Sequence, residues 1–113
     1  MDHPPIKRFE HPLGYLDYGD VPYDYRYEFE EEDSPFWQKA KQWVFIDVLR
    51  AQEKFKGHGK QILKDFLATL PKGIGVVANA NPLDQDLDFL VLQNWYKKQG
   101  FAETPDMTLF KIV

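Results

Sequence analysis

The chain has 113 residues, a formal net charge of −4, no cysteine, and 43% apolar and 16% aromatic residues. A chain of this length buries roughly two-thirds of its unfolded surface, enough for one core, so one domain over residues 1–113 is expected and wholesale disorder is not. The lack of cysteine excludes disulfides, thiolate metal sites and cysteine nucleophiles.

No run of about 18 apolar residues exists to cross a membrane, and Met1-Asp2-His3-Pro4-Pro5 lacks the basic-then-apolar order of a secretory signal. The expectation is a cytoplasmic protein. His3, His11 and His58 are scattered, so no metal site is expected.

Residues 1–12 hold three prolines without periodicity and read as an irregular arm. Tyr15-Leu16-Asp17-Tyr18 and the alternating run from Tyr23 to Glu30 flank Gly19-Asp20-Val21-Pro22. Their period of two predicts an N-terminal β-hairpin with a core-facing tyrosine row. Ser34-Pro35 is a helix-start signal, a capping residue followed by proline, and Phe36, Trp37, Ala40 and Trp43 would line one face of a short helix there, with a loop as the alternative.

Val44-Phe45-Ile46-Asp47-Val48-Leu49 reads as a central strand buried on both faces. From Gly59 the period lengthens: Ile62, Leu63, Phe66, Leu67 and Leu70 recur at helical spacing until Pro71 and Gly73. Residues 74–78 read as another buried strand. Asp84, Asp86 and Asp88 suit the start of a second helix, which Gly100 ends. Two closing strands follow, around residues 101–103 and 107–113. The fold class is therefore α/β, with a mixed sheet.

Charge is unevenly spread. Residues 1–43 carry ten acids and five bases, whereas Arg50, Lys54, Lys56, Lys60 and Lys64 cluster within fifteen positions. That cluster surrounds Lys54-Phe55-Lys56-Gly57-His58-Gly59-Lys60, between the central strand and a helix. Two glycines permit close backbone approach, and free amides at a helix start attract anions. The alternative is a tight turn that simply needs glycine. A Walker loop is excluded because Lys54 and Gln61 stand where Gly and Ser or Thr are required. A dinucleotide fingerprint is excluded by Ile62.

The segment from Lys54 to Gly59 resembles the x-x-Gly-x-Gly pattern of the GNAT acetyltransferase superfamily. Trp95-Tyr96-Lys97-Lys98-Gln99-Gly100-Phe101 looks like that superfamily's aromatic-Tyr-x-x-x-Gly-Phe segment. The resemblance covers about residues 43–113. It implies a GNAT-like fold in which residues 55–60 hold the pyrophosphate of acetyl-CoA as cosubstrate. Leu49 and Ala51 would pair with its pantetheine arm, and Lys54, Lys56 and Lys60 would supply charge. Tyr96 would stand where a tyrosine protonates the departing thiolate, with a packed core aromatic as the alternative. Asp47, an acid inside an apolar strand, is a candidate base or else a salt-bridged group, and Glu53 is a weaker candidate.

The resemblance departs at Phe89 and Leu92, at Trp43 where some members carry glutamate, and in the short N-terminal part. The acceptor groove would then be open, or completed by a second subunit in a homodimer. The leading expectation is an N-acetyltransferase moving acetyl from acetyl-CoA to an amine acceptor by direct attack. Glu28 to Asp33 would guide a cationic acceptor or simply form a solvated face. The alternative is a degenerate GNAT-fold protein that binds CoA or a protein partner. A minor reading is an acidic DNA mimic; ordinary nucleic-acid binding is not expected.

Overall fold

The apolar run after Gln42 forms the longest strand of a six-stranded sheet. In the computed structural model, which describes residues 4–53, 57–78 and 89–113, this strand is β3 (Trp43–Ala51). Before it come β1 (Lys7–His11), β2 (Gly14–Asp20) and two 3-10 turns, Tyr23–Glu28 and Pro35–Lys39. After it come α1 (His58–Ala68), β4 (Gly75–Ala78), α2 (Phe89–Lys98), β5 (Ala102–Glu103) and β6 (Leu109–Ile112). The sheet order is β1-β2-β3-β4-β6-β5, antiparallel throughout except where β3 runs parallel to β4. The parallel pair is joined through α1, as a crossover requires.

Two apolar clusters sandwich the sheet. One gathers Leu16, Val44, Ile46, Val76, Ala78 and Leu109 with Ile62, Leu63 and Phe66 of α1 and Tyr96 of α2. The other gathers Trp43, Phe45 and Val77 with Phe29, Phe36 and Trp37 from the 3-10 turns and their flank. The alternation of Trp43 and Phe45 against Val44 and Ile46 follows from the period of two in a strand. Gly75 is required by its neighbour, because a Cβ there would drive into the Trp43 indole.

That alternation breaks once. Leu16 stands opposite Leu49 and Asp17 opposite Val48, but Tyr18 stands opposite Ile46, which leaves Asp47 as an extra residue. Such a β-bulge shifts the phase of everything beyond it. Leu49 and Ala51 therefore pack on the same cluster as Val44 and Ile46, and Asp47 is exposed.

The expected pairing of residues 15–18 with residues 23–30 does not form, and the N-terminal hairpin is a different one. It is made of β1 and β2, so residues 7–11 of the expected irregular arm are a paired strand, and residues 23–30 do not form the second arm. Pro22 begins a 3-10 turn in which Tyr25 N–H donates to the Pro22 carbonyl, and Phe29 and Glu30 N–H donate to that of Arg26. Both sides of β2 are already occupied, by β1 and β3. The aromatic row consequently splits: Phe29 is buried and Tyr25 packs beside it at 6.1 Å, while Tyr23 and Tyr27 are exposed. Ser34 caps the next turn by accepting from the Phe36 N–H at 3.2 Å, as its sequence signal indicates.

Candidate functional site

The glycine loop is described from residue 57 onward; Lys54, Phe55 and Lys56 lie outside the described residues. Gly57 precedes α1 with φ of 76°, a left-handed conformation that favours glycine, and its carbonyl accepts from the Gln61 N–H. Gly59 carries no such demand: a Cβ there would meet the Trp95 ring at 3.5 Å, an ordinary contact. Lys60 is exposed, and His58 is half-buried with its Nδ1 covered and unpartnered among the described residues. Leu49 and Ala51 are half-buried, and their backbones pair with Leu16 and Gly14 of β2. Asp84, Asp86 and Asp88 lie outside the described residues.

Tyr96 belongs to the core. It is 3% exposed, T-stacked on Trp95 at 5.0 Å and on Phe101 at 5.2 Å, and burial pushes its phenol well above the usual range. The segment from Trp95 to Phe101 has a structural task of its own. Gly100 takes φ of 94°, and the Phe101 N–H reaches back to the Tyr96 carbonyl, which ends α2 and turns Phe101 into the core. Asp47 lies elsewhere. Its charge and that of Glu28, after burial, raise the pKa of Tyr25, which packs on Phe45 of the other cluster. Of the two expected catalytic groups, Tyr96 is therefore buried in the first cluster, while Asp47 is exposed and belongs to neither.

On the side of the 3-10 turns the structure builds an acidic face. Glu28, Glu31 and Asp33 are exposed, and Glu30 and Glu32 are half-buried. The face is held in place by its neighbours. Tyr23 donates its hydroxyl to Asp33, and this bond, ahead of burial, raises the tyrosine pKa. The Arg26 guanidinium lies over the rings of Tyr23 and Trp37 at 5.2 and 5.1 Å, and Trp37 Nε1 donates to the Glu31 carbonyl at 2.9 Å. The turn between β5 and β6 closes against the same segment. Thr104 donates to Glu30 Oε1 at 2.5 Å, and Thr108 donates to the Phe29 carbonyl at 2.6 Å. The acidic run was visible in the sequence, but its anchoring to residues 104–108 was not.

A second polar cluster joins the hairpin to α1. Leu13 N–H donates to His11 Nδ1 at 3.0 Å, so the ring proton sits on Nε2 and is donated to Asp65 at 2.7 Å. Gln61 donates to the other Asp65 oxygen at 2.9 Å. Both imidazole nitrogens are used internally, so His11 acts as a structural staple. Among the described residues no cluster of potential ligands could hold a metal ion, and no helix is long and apolar enough to cross a membrane.

Neither a family model nor a curated protein matches the chain. Among solved structures, the fold matches that of an anti-CRISPR protein. That structure is the crystal structure of anti-CRISPR protein AcrVA5, with a TM-score of 0.61 and 21% sequence identity, covering 94% of this chain and 97% of that one. At this identity the match establishes a shared fold.

These findings correct the expectations drawn from the two motifs. The GNAT assignment of family and fold is withdrawn, because no family model matches and the fold match is to an anti-CRISPR protein. With it go the acyltransferase activity, acetyl-CoA as cosubstrate, the amine acceptor as partner, and the degenerate GNAT alternative. Within the molecule, the segment that most strongly suggested the family is accounted for by ending α2 and filling the core.

Proposed function

We propose that this chain is an anti-CRISPR protein that engages a CRISPR effector through its acidic face. The observation that carries this reading is the structural match to AcrVA5, which runs over nearly the whole length of both chains. The charge distribution supports it. CRISPR effectors hold nucleic acid in positively charged channels, which are complementary to an ordered acidic surface. The same charge repels nucleic acid itself, so the target is the effector's protein surface and not DNA.

The test is plasmid interference in cells that carry active CRISPR systems of several types. Expression of the chain should restore transformation by a targeted plasmid in at least one system, and the double variant Glu31→Lys/Asp33→Lys should lose most of that protection. Gel-shift titration should show no binding of the chain alone to duplex DNA. Failure to protect in every system, or equal protection by the charge-reversed variant, would overturn the proposal.

A further inference from the structure

β1 is an outer strand of the sheet, and among the described residues no strand pairs with its free side. Which of its backbone groups face that side follows from β2. The Leu13 carbonyl accepts from the Gln52 N–H at 2.8 Å, and the Val21 N–H donates to the Trp43 carbonyl at 3.0 Å, so odd-numbered residues along β2 bond toward β3. Alternate residues of an antiparallel ladder bond the other way. Gly14, Leu16 and Tyr18 therefore bond toward His11, Phe9 and Lys7, their partners on β1. Arg8 and Glu10 are left with N–H and C=O directed at the open edge. Pro4, Pro5 and Pro12, which have no N–H to donate, bracket the pair.

The side chains of Arg8 and Glu10 are exposed on the sheet face opposite to Phe9 and α1. The guanidinium is held in place: Nε and Nη2 donate to Asp17 at 2.8 and 3.1 Å, and its carbon lies 3.8 Å from the centre of the Tyr15 ring. That grip leaves Nη1 for a further carboxylate. Glu10 makes no hydrogen bond or ion pair of its own among the described residues. Within β1, three antiparallel registers bring the outward residues of two copies together. One sets Arg8 against Arg8 and another sets Glu10 against Glu10, and both repel. The third is centred on Phe9 and sets Arg8 of each copy against Glu10 of the other, so that backbone bonds and both ion pairs form together.

We infer that β1 is a self-association edge, where a second copy of this chain pairs antiparallel about Phe9 and joins the two sheets. Charge on an outer strand ordinarily prevents such pairing, but the Arg8-Phe9-Glu10 order is complementary to its own reverse. The contact is two-fold symmetric, as a closed dimer requires. It goes beyond the reading given under Proposed function and does not depend on it.

The experiment is sedimentation equilibrium of the full chain over a concentration series, beside Glu10→Lys and Glu10→Pro, with amide hydrogen exchange at both ends of the series. Wild type should pass from monomer to dimer, and the exchange of the Arg8 and Glu10 amides should slow as it does. Glu10→Lys sets like charges opposite each other twice and should weaken the dimer by about tenfold. Glu10→Pro removes an outward N–H that no intramolecular bond uses, and should abolish the dimer. Both variants should keep the circular dichroism spectrum of wild type, since residue 10 is exposed. A wild type that is monomeric at every concentration overturns the inference. So does a dimer that both variants leave as tight, or one in which the two amides exchange as fast as in the monomer.

Discussion

The Thr108 hydroxyl donates a 2.6 Å hydrogen bond to the carbonyl of Phe29, 79 positions earlier in the chain. Thr108 is 4% exposed and Phe29 is 8% exposed, so water cannot replace either partner easily. One buried bond thus fastens the acidic segment to the last hairpin of the sheet. Thr108→Val keeps the shape and removes the donor, leaving a buried carbonyl unsatisfied at a cost of about 1–3 kcal/mol. Urea unfolding should show that loss as a lower midpoint with an unchanged slope. A midpoint equal to wild type would mean that the carbonyl finds another donor.

The His11–Asp65 contact makes stability depend on acid. The hydrogen bond from His11, followed by that from Gln61, holds the Asp65 carboxyl below its ordinary value of 3.8. A depressed carboxylate contributes stability that is fully present above the unfolded value and is lost as pH falls through the folded one. Asp65→Asn keeps an oxygen to accept from His11 but removes the titrating charge. Melting temperatures of the two proteins should differ above pH 3.8, and the gap should narrow progressively as pH falls below that value. A gap that stays constant across that range would exclude Asp65 as its source.

The central elements were legible because local periodicity and tertiary burial agree there. Val44, Phe45 and Ile46 alternate between two clusters, and Ile62, Leu63 and Phe66 bury one helical stripe. The tyrosine row was misread because positions 25 and 29 are neighbours on a helical turn as well as on one strand face. The neighbours of β2 then decided between the two possibilities. The bulge at Asp47 was invisible, since it is defined only by the register against β2. For the candidate site, the acids of the segment were readable and their supports were not. Thr104 and Thr108 reach Glu30 and Phe29 across more than half the chain, a distance that no sequence window spans. The segment from Trp95 to Phe101 shows the opposite error, where aromatic packing and a left-handed glycine matched a functional motif.

The two glycines at the start of α1 look equivalent in sequence and differ in structure. Gly57 has φ of 76°, so Gly57→Ala should destabilise by about 1–2 kcal/mol, the usual cost of a Cβ in the left-handed region. Among the described residues nothing lies within 4 Å of that added Cβ, so the expected loss is that of the left-handed backbone. Gly59 sits inside α1 with room against Trp95, so Gly59→Ala should be neutral or stabilise by up to about 1 kcal/mol through reduced freedom of the unfolded chain. Equilibrium urea unfolding of the two variants side by side separates these cases. Equal losses at both positions would show that residue 59 answers to a constraint other than its own backbone and its contact with Trp95.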